Sequence, residues 1–415
     1  MNRIYHEVHH CRIFPEQPLE VFFDMGLQPP ANSLRRDKSE PLPQIPLVLG
    51  WSEQAKSVQL TVDVDSEYLF KHYVWVTGTS QTAKDYAQYF CQQFLQRTPE
   101  KQPFIVEMAS NDGTFLKPFI ERGIKVLGVD PAANIAQAAN AQGIPTLADF
   151  FNAGSAQHVI DNYGQCDGFI ARNVIPHVEH IDEIMQSLVR LLSDEGIGAF
   201  EFHYAGKIFD ELHYDSVYHE HLFYHSLTSM QNLLNKYGFF PFDLFQSPIS
   251  GGSYVIFFSK KSKEITDSLR DALQHEMASG INDLASWKNF AQKSLEHAKS
   301  LREALDAELA AGRRVIGYGA SARSSTLLNF AGIDAQYLTC IADKSPYKHY
   351  CYTAGTDIQI LPPAEALATK PDTILLLAWN FEQEIVQELQ QTYGFTGKVI
   401  VPLPGPVREV WINAV

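Results

Sequence analysis

The sequence lacks long apolar runs and a cysteine framework. No window of about 18 consecutive apolar residues occurs in it, so we predict no transmembrane helix. The five cysteines are odd in number and far apart, which argues against a disulfide framework and favours a reducing compartment. The opening residues, MNRIYHEVHH, contain no apolar segment of the kind that a signal peptide needs. We therefore predict a cytoplasmic protein.

Positive charge is also scarce. The 415 residues include 33 Lys and Arg against 48 Asp and Glu, a formal net charge of −15. This balance argues against nucleic acid or an anionic membrane as the main partner. A phosphorylated small molecule remains open as a ligand if a local basic cluster offsets the overall charge. An apolar fraction of 45% and a charged fraction of 20% are typical of a folded protein.

Four stretches of the chain differ in pattern. Residues 1–75 combine prolines with short apolar runs and predict a small β-rich lobe. Residues 76–260 alternate strand-like and helical patterns, which predicts parallel βαβ units. Residues 261–311 repeat apolar residues at helical spacing and predict a helical connector that packs on both sides. Residues 312–415 alternate again and end in the strand KVIVPLPGP. The predicted fold class is α/β, with two Rossmann-like domains.

The first glycine turn lies between a strand and a helix, from Glu107 to Thr114. Small residues there let a ligand approach the backbone, and a helix start favours polar or anionic groups. The next strand ends in Asp130, where an acid can accept both hydroxyls of a ribose. The turn lacks the glycines of a dinucleotide site, and Glu107 suits a ligand with an ammonium group, such as S-adenosylmethionine (SAM). A turn that satisfies only its own backbone is the alternative.

The densest group of reactive side chains runs from His213 to His225. Three interpretations are open. His221 or His219 is a general base, because histidine titrates near neutrality. Alternatively, the histidines and the segment Glu201-Phe202-His203 hold a metal, although no HExxH-type spacing supports this. In the third interpretation, they are hydrogen-bonded core residues.

Other polar residues follow predicted strands. Asn173 and His177 come after the third strand of the first α/β domain, at the edge where open parallel sheets bind ligands. Ser253 begins a later strand and either lines the same cleft or belongs to a turn.

A second glycine turn, from Gly317 to Ser325, opens a helix in the C-terminal domain. Its backbone N–H groups and Arg323 would suit a diphosphate. Asp343 and the pair Trp379–Asn380 end later strands on the same edge. Because the turn lacks the third glycine of a dinucleotide fingerprint, it supports NAD binding only weakly. A structural domain without a ligand is the alternative.

Seven motifs follow one another along nearly the whole chain. They are GLQPPANSL (26–34), SNDGTFL (110–116), NVIPH (173–177), YHEHLFY (218–224), GGS (251–253), GYGASARSSTLLN (317–329) and AWN (378–380). In this combination the chain resembles the SAM-dependent deoxysugar C-3 methyltransferases, which act on nucleotide-linked 4-keto-6-deoxyhexoses. The resemblance implies an N-terminal zinc lobe, a SAM domain and a C-terminal domain that holds the nucleotide sugar.

The resemblance also implies residue roles. It puts the catalytic base on His221, with Tyr218 and Glu220 beside it, a second active-site histidine on His177 and one tyrosine hydroxyl on Tyr73. The base would remove the C-3 hydrogen to give an enolate, with His177 and a tyrosine stabilising the charge on O4. The predicted cofactor contacts are Glu107, Ser110, Asn111, Gly113, Asp130, Pro131, Phe151 and Asn173. The predicted substrate contacts are Tyr224, Ser253, Gly319, Ala320, Ser321, Arg323, Asp343, Trp379 and Asn380.

The sequence departs from this family in its first lobe. The family's zinc lobe has two Cys-x-x-Cys pairs, whereas here Cys11 alone remains, with Phe14 in the second place. The other pair falls on Ser52 and Ala55. One thiolate cannot hold a tetrahedral zinc, so we predict no metal. The predicted packing residues of the lobe are Phe14, Leu19, Phe22, Phe23 and Trp51.

A second departure leaves other functions open. Where the family has two tyrosines before the SAM domain, this chain has Tyr73 and Trp75. A nicotinamide-dependent oxidoreductase or epimerase could use either glycine turn, although neither turn has the full fingerprint. A non-catalytic nucleotide-sugar-binding protein is the other alternative, against which the intact YHEH motif argues. The predicted partner is a nucleotide sugar, and the sequence makes no prediction of the oligomeric state.

Overall fold

The chain folds into a small β lobe, two α/β domains and a pair of helices between them, which confirms the predicted fold class. The structure is a computed structural model, and it describes residues 4–65, 68–69, 81–248 and 252–413. Across those ranges, every helix is too short or too polar to cross a bilayer.

The N-terminal lobe contains two small antiparallel sheets. Its strands are β1 (Tyr5–Glu7), β2 (Glu20–Gln28), β3 (Ile45–Ser52), β4 (Ser57–Leu60) and β5 (Val62–Val64). One sheet consists of β1 and β5, and β2, β3 and β4 belong to the other. Phe23 and Trp51 are each 2% exposed, and the other predicted packing residues lie partly buried against the same core. The edge of β4 pairs with Phe223–Tyr224, at the end of the histidine-rich segment. This pairing holds that segment against the lobe.

The central domain is a seven-stranded sheet flanked by helices. Its strands are β6 (Phe104–Met108), β7 (Lys125–Val129), β8 (Thr146–Leu147), β9 (Cys166–Arg172), β10 (Leu192–His203), β12 (Phe240–Gln246) and β13 (Ser253–Ser259), while Phe223–Tyr224 forms β11 in the lobe. Its helices are Gln81–Arg97, Lys117–Ile120, Ala133–Ala141, Ala153–Tyr163, Ile181–Leu191, Ala205–Asp210 and Leu227–Lys236.

The strand order of this sheet locates its ligand cleft. The order is β12-β13-β10-β9-β6-β7-β8; β6 to β10 run parallel to their neighbours in this set, and β13 runs antiparallel to both β10 and β12. The chain leaves β6 towards β7 on one side and returns to β9 on the other. In open α/β sheets, ligands bind at the carboxyl ends of strands at such a reversal. The first glycine turn and Asn173 follow β6 and β9 there.

The helical connector consists of two helices. They span Asp267–Ser279 and Leu284–Ala310, and the break falls at Gly280, whose φ of 81° ends the first helix in a left-handed conformation. Trp287 of the second helix packs on Phe22 of the lobe and on Phe209 of the central domain, with ring centroids 6.1 and 5.1 Å apart. The predicted packing of the connector on both sides is confirmed.

The C-terminal domain repeats the parallel architecture. Its strands are β14 (Val315–Tyr318), β15 (Ile341–Ala342), β16 (Ile360–Leu361), β17 (Thr373–Leu376), β18 (Gly397–Val401) and β19 (Arg408–Ile412). Its helices are Ala322–Ala331, Pro363–Ala368 and Glu382–Gln391. The order β16-β15-β14-β17-β18-β19 reverses at β14, which puts the second glycine turn at a reversal too. The prediction that KVIVPLPGP is the last strand was wrong, because Arg408–Ile412 adds an antiparallel edge strand.

Candidate active site

The first glycine turn adopts a backbone conformation that few residue types tolerate. Ala109 and Asn111 have φ of 53° and 51°, and Gly113 has φ of 76°. Left-handed backbone at non-glycine residues costs about 1–3 kcal/mol and is concentrated at functional sites. The neighbouring strand passes close by, because a Cβ atom added to Gly128 would lie 2.3 Å from Ser110 Oγ. That buried hydroxyl has no partner among the described residues, so the turn presents a polar group to a ligand.

Glu107 lies near the carboxyl end of β6, where the strand enters this turn, and is 2% exposed. Burial raises its pKa to about 8, although nearby Arg172 opposes the shift. Arg172 donates from Nε to Glu201 Oε2 at 2.7 Å, so its charge is shared between acids. Glu107 Oε2 is buried and, within the part of the chain described, has no hydrogen-bond partner. A buried acid with a vacant acceptor suits a cationic group such as an ammonium.

Asp130 lies across the turn at the end of β7. Its Oδ2 accepts the N–H of Asn111 at 2.8 Å, and its Oδ1 accepts an N–H two residues further on at 2.9 Å. Both oxygens retain acceptor capacity for the hydroxyls of a ribose. Pro131 beside it is exposed. Phe151 is 4% exposed and packs on Phe169 with ring centroids 5.0 Å apart, so it supports the site from within the core.

A cavity of about 40 Å³ lies where the histidine segment meets the strand ends of the central domain. His177, His203 and His221 line it, and the rings of His177 and His221 have centroids 4.9 Å apart. Asn173, with φ of 51°, and Tyr224 line the same space. Ser253 pairs with His203 in the register of β13 and β10, which brings it to this end of the sheet.

His221 is held in one tautomer by two hydrogen bonds. Its Nδ1 lies 3.3 Å from the carbonyl oxygen of Ser216, and a carbonyl only accepts, so Nδ1 carries the proton. Nε2 then has the lone pair, to which the Tyr218 hydroxyl donates at 2.8 Å. Burial, together with His177 and His203, lowers the pKa of His221 well below its ordinary value. The ring is therefore neutral at pH 7 and is able to accept a proton at Nε2.

The ring of His177 also bonds to the protein backbone. Its Nδ1 hydrogen-bonds to the carbonyl oxygen of Glu220. Burial lowers its pKa, while hydrogen bonds to the backbone of Glu220 and of Asn173 oppose that shift. The neutral ring is therefore favoured at pH 7, and the stabilisation of a substrate oxygen by His177 remains a prediction.

The rest of the histidine-rich segment does not converge on the cavity. The ring of His219 pairs with the carbonyl of Pro46 at 3.3 Å, and that of His225 pairs with a serine of the following helix at 3.1 Å. His213 lies 3.0 Å from a carboxylate oxygen of Glu211. The core interpretation therefore fits these three histidines. Among the described residues, the histidines of this segment do not bring three metal-ligating atoms within 4.8 Å of one another, which argues against the metal interpretation.

Glu220 faces the N-terminal lobe instead of the base. Its Oε1 accepts from Asn32 Nδ2 at 2.9 Å, while its Oε2 is buried with no partner in the described ranges. Burial raises the pKa of Glu220. Because Asn32 belongs to the motif GLQPPANSL, this bond connects the N-terminal motif to YHEH.

The second glycine turn repeats the design of the first. Gly319 has φ of 98°, and a Cβ there would lie 2.5 Å from the side chain of Ala378. The N–H of Ala320 donates to Asp343 Oδ2 at 2.7 Å. Ser321 caps the following helix by accepting the N–H of Ser324 at 3.2 Å.

Basic charge reaches this turn from Lys348. Its Nζ donates to the carbonyl of Ala320 at 2.7 Å and lies 3.7 Å from the Asp343 carboxylate. A second cavity, of about 20 Å³, is lined by Lys348, Ala320, Ser321 and Asn32. The turn, the lysine and the N-terminal motif thus meet at one place.

Arg323 and Trp379, both predicted to contact substrate, face the histidine segment. Arg323 Nη2 and Trp379 Nε1 each donate to Asp215 at 2.9 Å, one to each carboxylate oxygen. The guanidinium carbon lies 4.4 Å from the centroid of the Trp379 ring. Asn380, next in the chain, is exposed. Of the other predicted site residues, Tyr73 lies outside the described residues, as do Trp75 and Gly251.

Two family descriptions match the chain side by side. A methyltransferase domain matches residues 83–240, and a C-methyltransferase C-terminal domain matches residues 248–404. The C-methyltransferase NovU of Streptomyces niveus is 27% identical over 411 residues, which cover 98% of each chain. The chain is thus similar along nearly its whole length to a C-methyltransferase, and two separate stretches of it match methyltransferase families.

Solved structures resemble part of the chain. A magnesium protoporphyrin IX methyltransferase from Synechocystis, with bound SAM, is 12% identical over 43% of this chain and 80% of its own, with a TM-score of 0.33. The protein PH0226 of Pyrococcus horikoshii is 14% identical over 47% of this chain and 99% of its own, with a TM-score of 0.35. At these scores the likeness carries no argument about function.

The residues around the first turn fit SAM, the cofactor of this methyltransferase. The buried acceptor of Glu107 and the hydroxyl of Ser110 both lack partners among the described residues, and Asp130 keeps acceptor capacity. Glu107 would hold the ammonium group and Asp130 the ribose hydroxyls.

The residues of the N-terminal lobe do not fit a structural zinc. Cys11 Sγ accepts the N–H of Phe14 at 3.3 Å and an amide N–H of Gln59 at 3.2 Å. At the second pair position, Ser52 Oγ accepts the N–H of Ala55 at 3.3 Å. Hydrogen bonds thus close both turns. The two turns supply a single thiol, whereas a structural zinc needs four ligands. That the methyltransferase binds no zinc remains a prediction.

One other group of ligand atoms lies where the lobe meets the central domain. His6, Asp63 and Glu179 bring one ligand atom each within 4.8 Å of one another. Asp63 is already paired with Arg12, and the His6 side chain is 63% exposed.

Four residues of this site escaped sequence reasoning in part or entirely. Asn32 and Lys348 belong to no pattern of residue spacing that marks a site. Asp215 lies among histidines, which were the more obvious candidates for catalysis. His203 was considered only as a metal ligand, although it ends a strand of the parallel set. That position was the signal that could have placed it in the cleft.

Proposed function

We propose that this methyltransferase adds a methyl group to C-3 of a nucleotide-linked 4-keto-6-deoxyhexose. The observation that carries the proposal is the hydrogen-bonded pair of His221 and Tyr218 beside a cavity lined by three histidines. A neutral imidazole and a phenol side by side supply the acceptor and the donor that an enolisation needs.

The two glycine turns would hold the two ligands. At the first turn, Glu107 and Asp130 would bind SAM, which supplies an electrophilic methyl group when bound. At the second, the start of the helix Ala322–Ala331 and the ammonium group of Lys348 would bind a diphosphate, while the N–H groups of Gly319, Ala320 and Ser321 already donate within the protein. Asn32 lines the second cavity and donates to Glu220 of YHEH, so one hydrogen bond connects the proposed nucleotide site with the motif that carries His221.

Proton transfer is the chemistry that the chain itself performs. The 4-keto group acidifies the C-3 hydrogen, and His221 Nε2 takes that proton while the C–H electron pair moves into the enolate. The Tyr218 hydroxyl, which donates to Nε2 at rest, turns to O4 as negative charge develops there. The lowered pKa of His221 keeps the ring neutral before the reaction, and the adjacent enolate favours its protonated form afterwards.

The experiment is mass spectrometry on a panel of nucleotide 4-keto-6-deoxysugars, incubated with SAM in H₂O and in D₂O. We expect one panel member to gain a methylene and, without SAM, to exchange its C-3 hydrogen for deuterium. The variant His221→Gln should lose both signals. Its matched control is His219→Gln, which changes a neighbouring buried histidine outside the cavity and should keep them.

Each other outcome has a defined meaning. Exchange and methylation that persist in His221→Gln would contradict the assigned base. Methylation of none of the panel, with SAM still bound, would contradict the substrate class. Absence of SAM binding, with reduction or oxidation of a panel member by a nicotinamide cofactor, would favour an oxidoreductase.

A further inference from the structure

The C-terminal domain forms several hydrogen bonds with the segment from His213 to Tyr218. Asp215 is 1% exposed, and both its oxygens take hydrogen bonds from that domain, one from Arg323 and one from Trp379. One residue on either side is also held. Thr326 donates to the carbonyl of Val217 at 2.8 Å. The hydroxyl of Tyr214 lies 3.0 Å from the ring of His297 on the connector.

The residue that follows Asp215 hydrogen-bonds to the proposed base, His221. Ser216 follows Asp215, and its carbonyl is the acceptor that keeps the proton of His221 on Nδ1. A shift of that carbonyl would release the tautomer, and Nε2 would lose its lone pair in part of the molecules. The position of Asp215 therefore bears on the protonation form of His221 without any contact between the two side chains.

Arg323 is poorly placed to serve a nucleotide as well. Its guanidinium lies over the Trp379 ring and pairs with a carboxylate that has almost no access to water. Moving it to a diphosphate would leave that buried carboxylate with the indole as its partner from this domain, which is costly. Lys348 already brings a positive charge to the turn.

We propose that Asp215 is a positioning residue for His221, and that Arg323 and Trp379 act through Asp215 rather than on the nucleotide. This inference rests on the proposed function for the role of His221. It reassigns two residues that the sequence placed among the substrate contacts. It also makes the chemistry of the central domain depend on docking of the C-terminal domain.

The first test separates kcat from KM in the full-length enzyme. We expect Asp215→Asn and Arg323→Met each to lower kcat by about 10²-fold, the scale of a small misplacement of a catalytic group, with the KM for the nucleotide sugar changed less than about twofold. The double variant should be no worse than the worse single variant, because both act through one contact. Trp379→Phe, which keeps the ring and removes the N–H, should give a smaller loss of the same kind.

The matched control is Asp357→Asn. Asp357 forms another ion pair of the C-terminal domain, with Arg35 of the N-terminal region. This variant should keep kcat and KM near those of the parent enzyme. A rise in KM for the nucleotide sugar in Arg323→Met, with kcat unchanged, would overturn the proposal and return Arg323 to the nucleotide.

The second test needs no substrate. Histidine side-chain nitrogen NMR on labelled enzyme, with His221 assigned by loss of its signal in His221→Gln, reports the tautomer directly. We expect the Nδ1–H form in the parent enzyme and in Asp357→Asn, and a mixture in Asp215→Asn. An unchanged tautomer in folded, SAM-binding Asp215→Asn would overturn the positioning role. Because the signal does not depend on turnover, failure of the proposed reaction and failure of this inference are distinguishable.

Discussion

The two α/β domains use the same hydrogen-bonding device at their glycine turns. In each, an aspartate at the end of the second strand accepts an N–H from the turn: Asp130 from Asn111 at 2.8 Å, and Asp343 from Ala320 at 2.7 Å. In each, its other oxygen accepts an N–H from two residues further along, at 2.9 and 2.8 Å. The backbone plan of the two turns is therefore nearly the same.

The charge around the two turns differs in sign. The first has the buried acid Glu107 beneath it, whereas the second has Gly317 and Tyr318 at the equivalent strand end and Lys348 above it. An acid with a vacant acceptor favours a cationic cofactor, and an ammonium group beside the start of a helix favours an anion. The comparison shows that two or three side chains are enough to make the same strand–turn–helix unit favour a cationic ligand in one domain and an anionic ligand in the other.

The largest expected effect lies between the two domains, at His221. His221→Gln should lower kcat by about 10²-fold to 10⁴-fold, the usual contribution of a general base, with both ligands still bound. In the parent enzyme saturated with SAM, so that the titration of Glu107 does not enter, kcat/KM for the nucleotide sugar should stay level as the pH falls from 8 to 6.5. The reason is that the pKa of His221 is lowered, so protonation sets in only below the ordinary histidine range. A fall in kcat/KM centred near pH 6.5 would contradict the lowered pKa of His221.

The two aspartates offer a crossed test of the comparison. Asp130→Asn should weaken SAM binding by about 10-fold to 100-fold, as expected for a lost hydrogen bond to a charged group, and leave a nucleoside diphosphate unaffected. Asp343→Asn should do the reverse. Calorimetric titration of each variant with each ligand measures this. The comparison fails if either variant weakens both ligands equally.

A smaller effect is expected at Lys348. Lys348→Met should weaken nucleoside diphosphate binding by about 3-fold to 10-fold, because a partly exposed ion pair contributes on the order of 1 kcal/mol. The dependence of that binding on salt should also become shallower. The control is Lys344→Met, since Lys344 pairs at 2.8 Å with Glu388 on another helix. Equal losses in both variants would show a general charge effect.

The smallest effect concerns the N-terminal lobe, which lies outside the two compared domains. We expect a strong chelator to leave the melting temperature unchanged, because Gln59 and backbone N–H groups occupy Cys11 Sγ. Metal analysis of enzyme purified without chelator should find far less than one equivalent of zinc. One full equivalent, removed together with several degrees of stability, would contradict the prediction.

Residue patterns predicted the fold class better than the site. Alternating strands and helices, and glycine turns at their junctions, are local features, and these were confirmed in both domains. The strand Arg408–Ile412 was missed because its sequence, REVWI, follows a proline-rich loop and pairs only at the sheet edge. The break inside the helical connector was not predicted, because the apolar spacing continues past Gly280, whose left-handed conformation ends the first helix.

Roles that depend on direction were beyond the sequence. The YHEH motif marked His221 and Tyr218, which do lie together. Nothing in the motif showed that His219 turns to the lobe, that Glu220 faces Asn32, or that Arg323 is committed to Asp215. These contacts join residues from different domains, so local spacing has no bearing on them.

The most direct test of the account is whether its two ligands bind at the same time to separate domains. The enzyme would be titrated calorimetrically with SAM, then with a nucleoside diphosphate in the presence of saturating SAM, at low and high salt. We predict one site for each ligand, no displacement of either by the other, and steep salt dependence for the diphosphate alone. Competition between the two ligands for a single site would contradict the account.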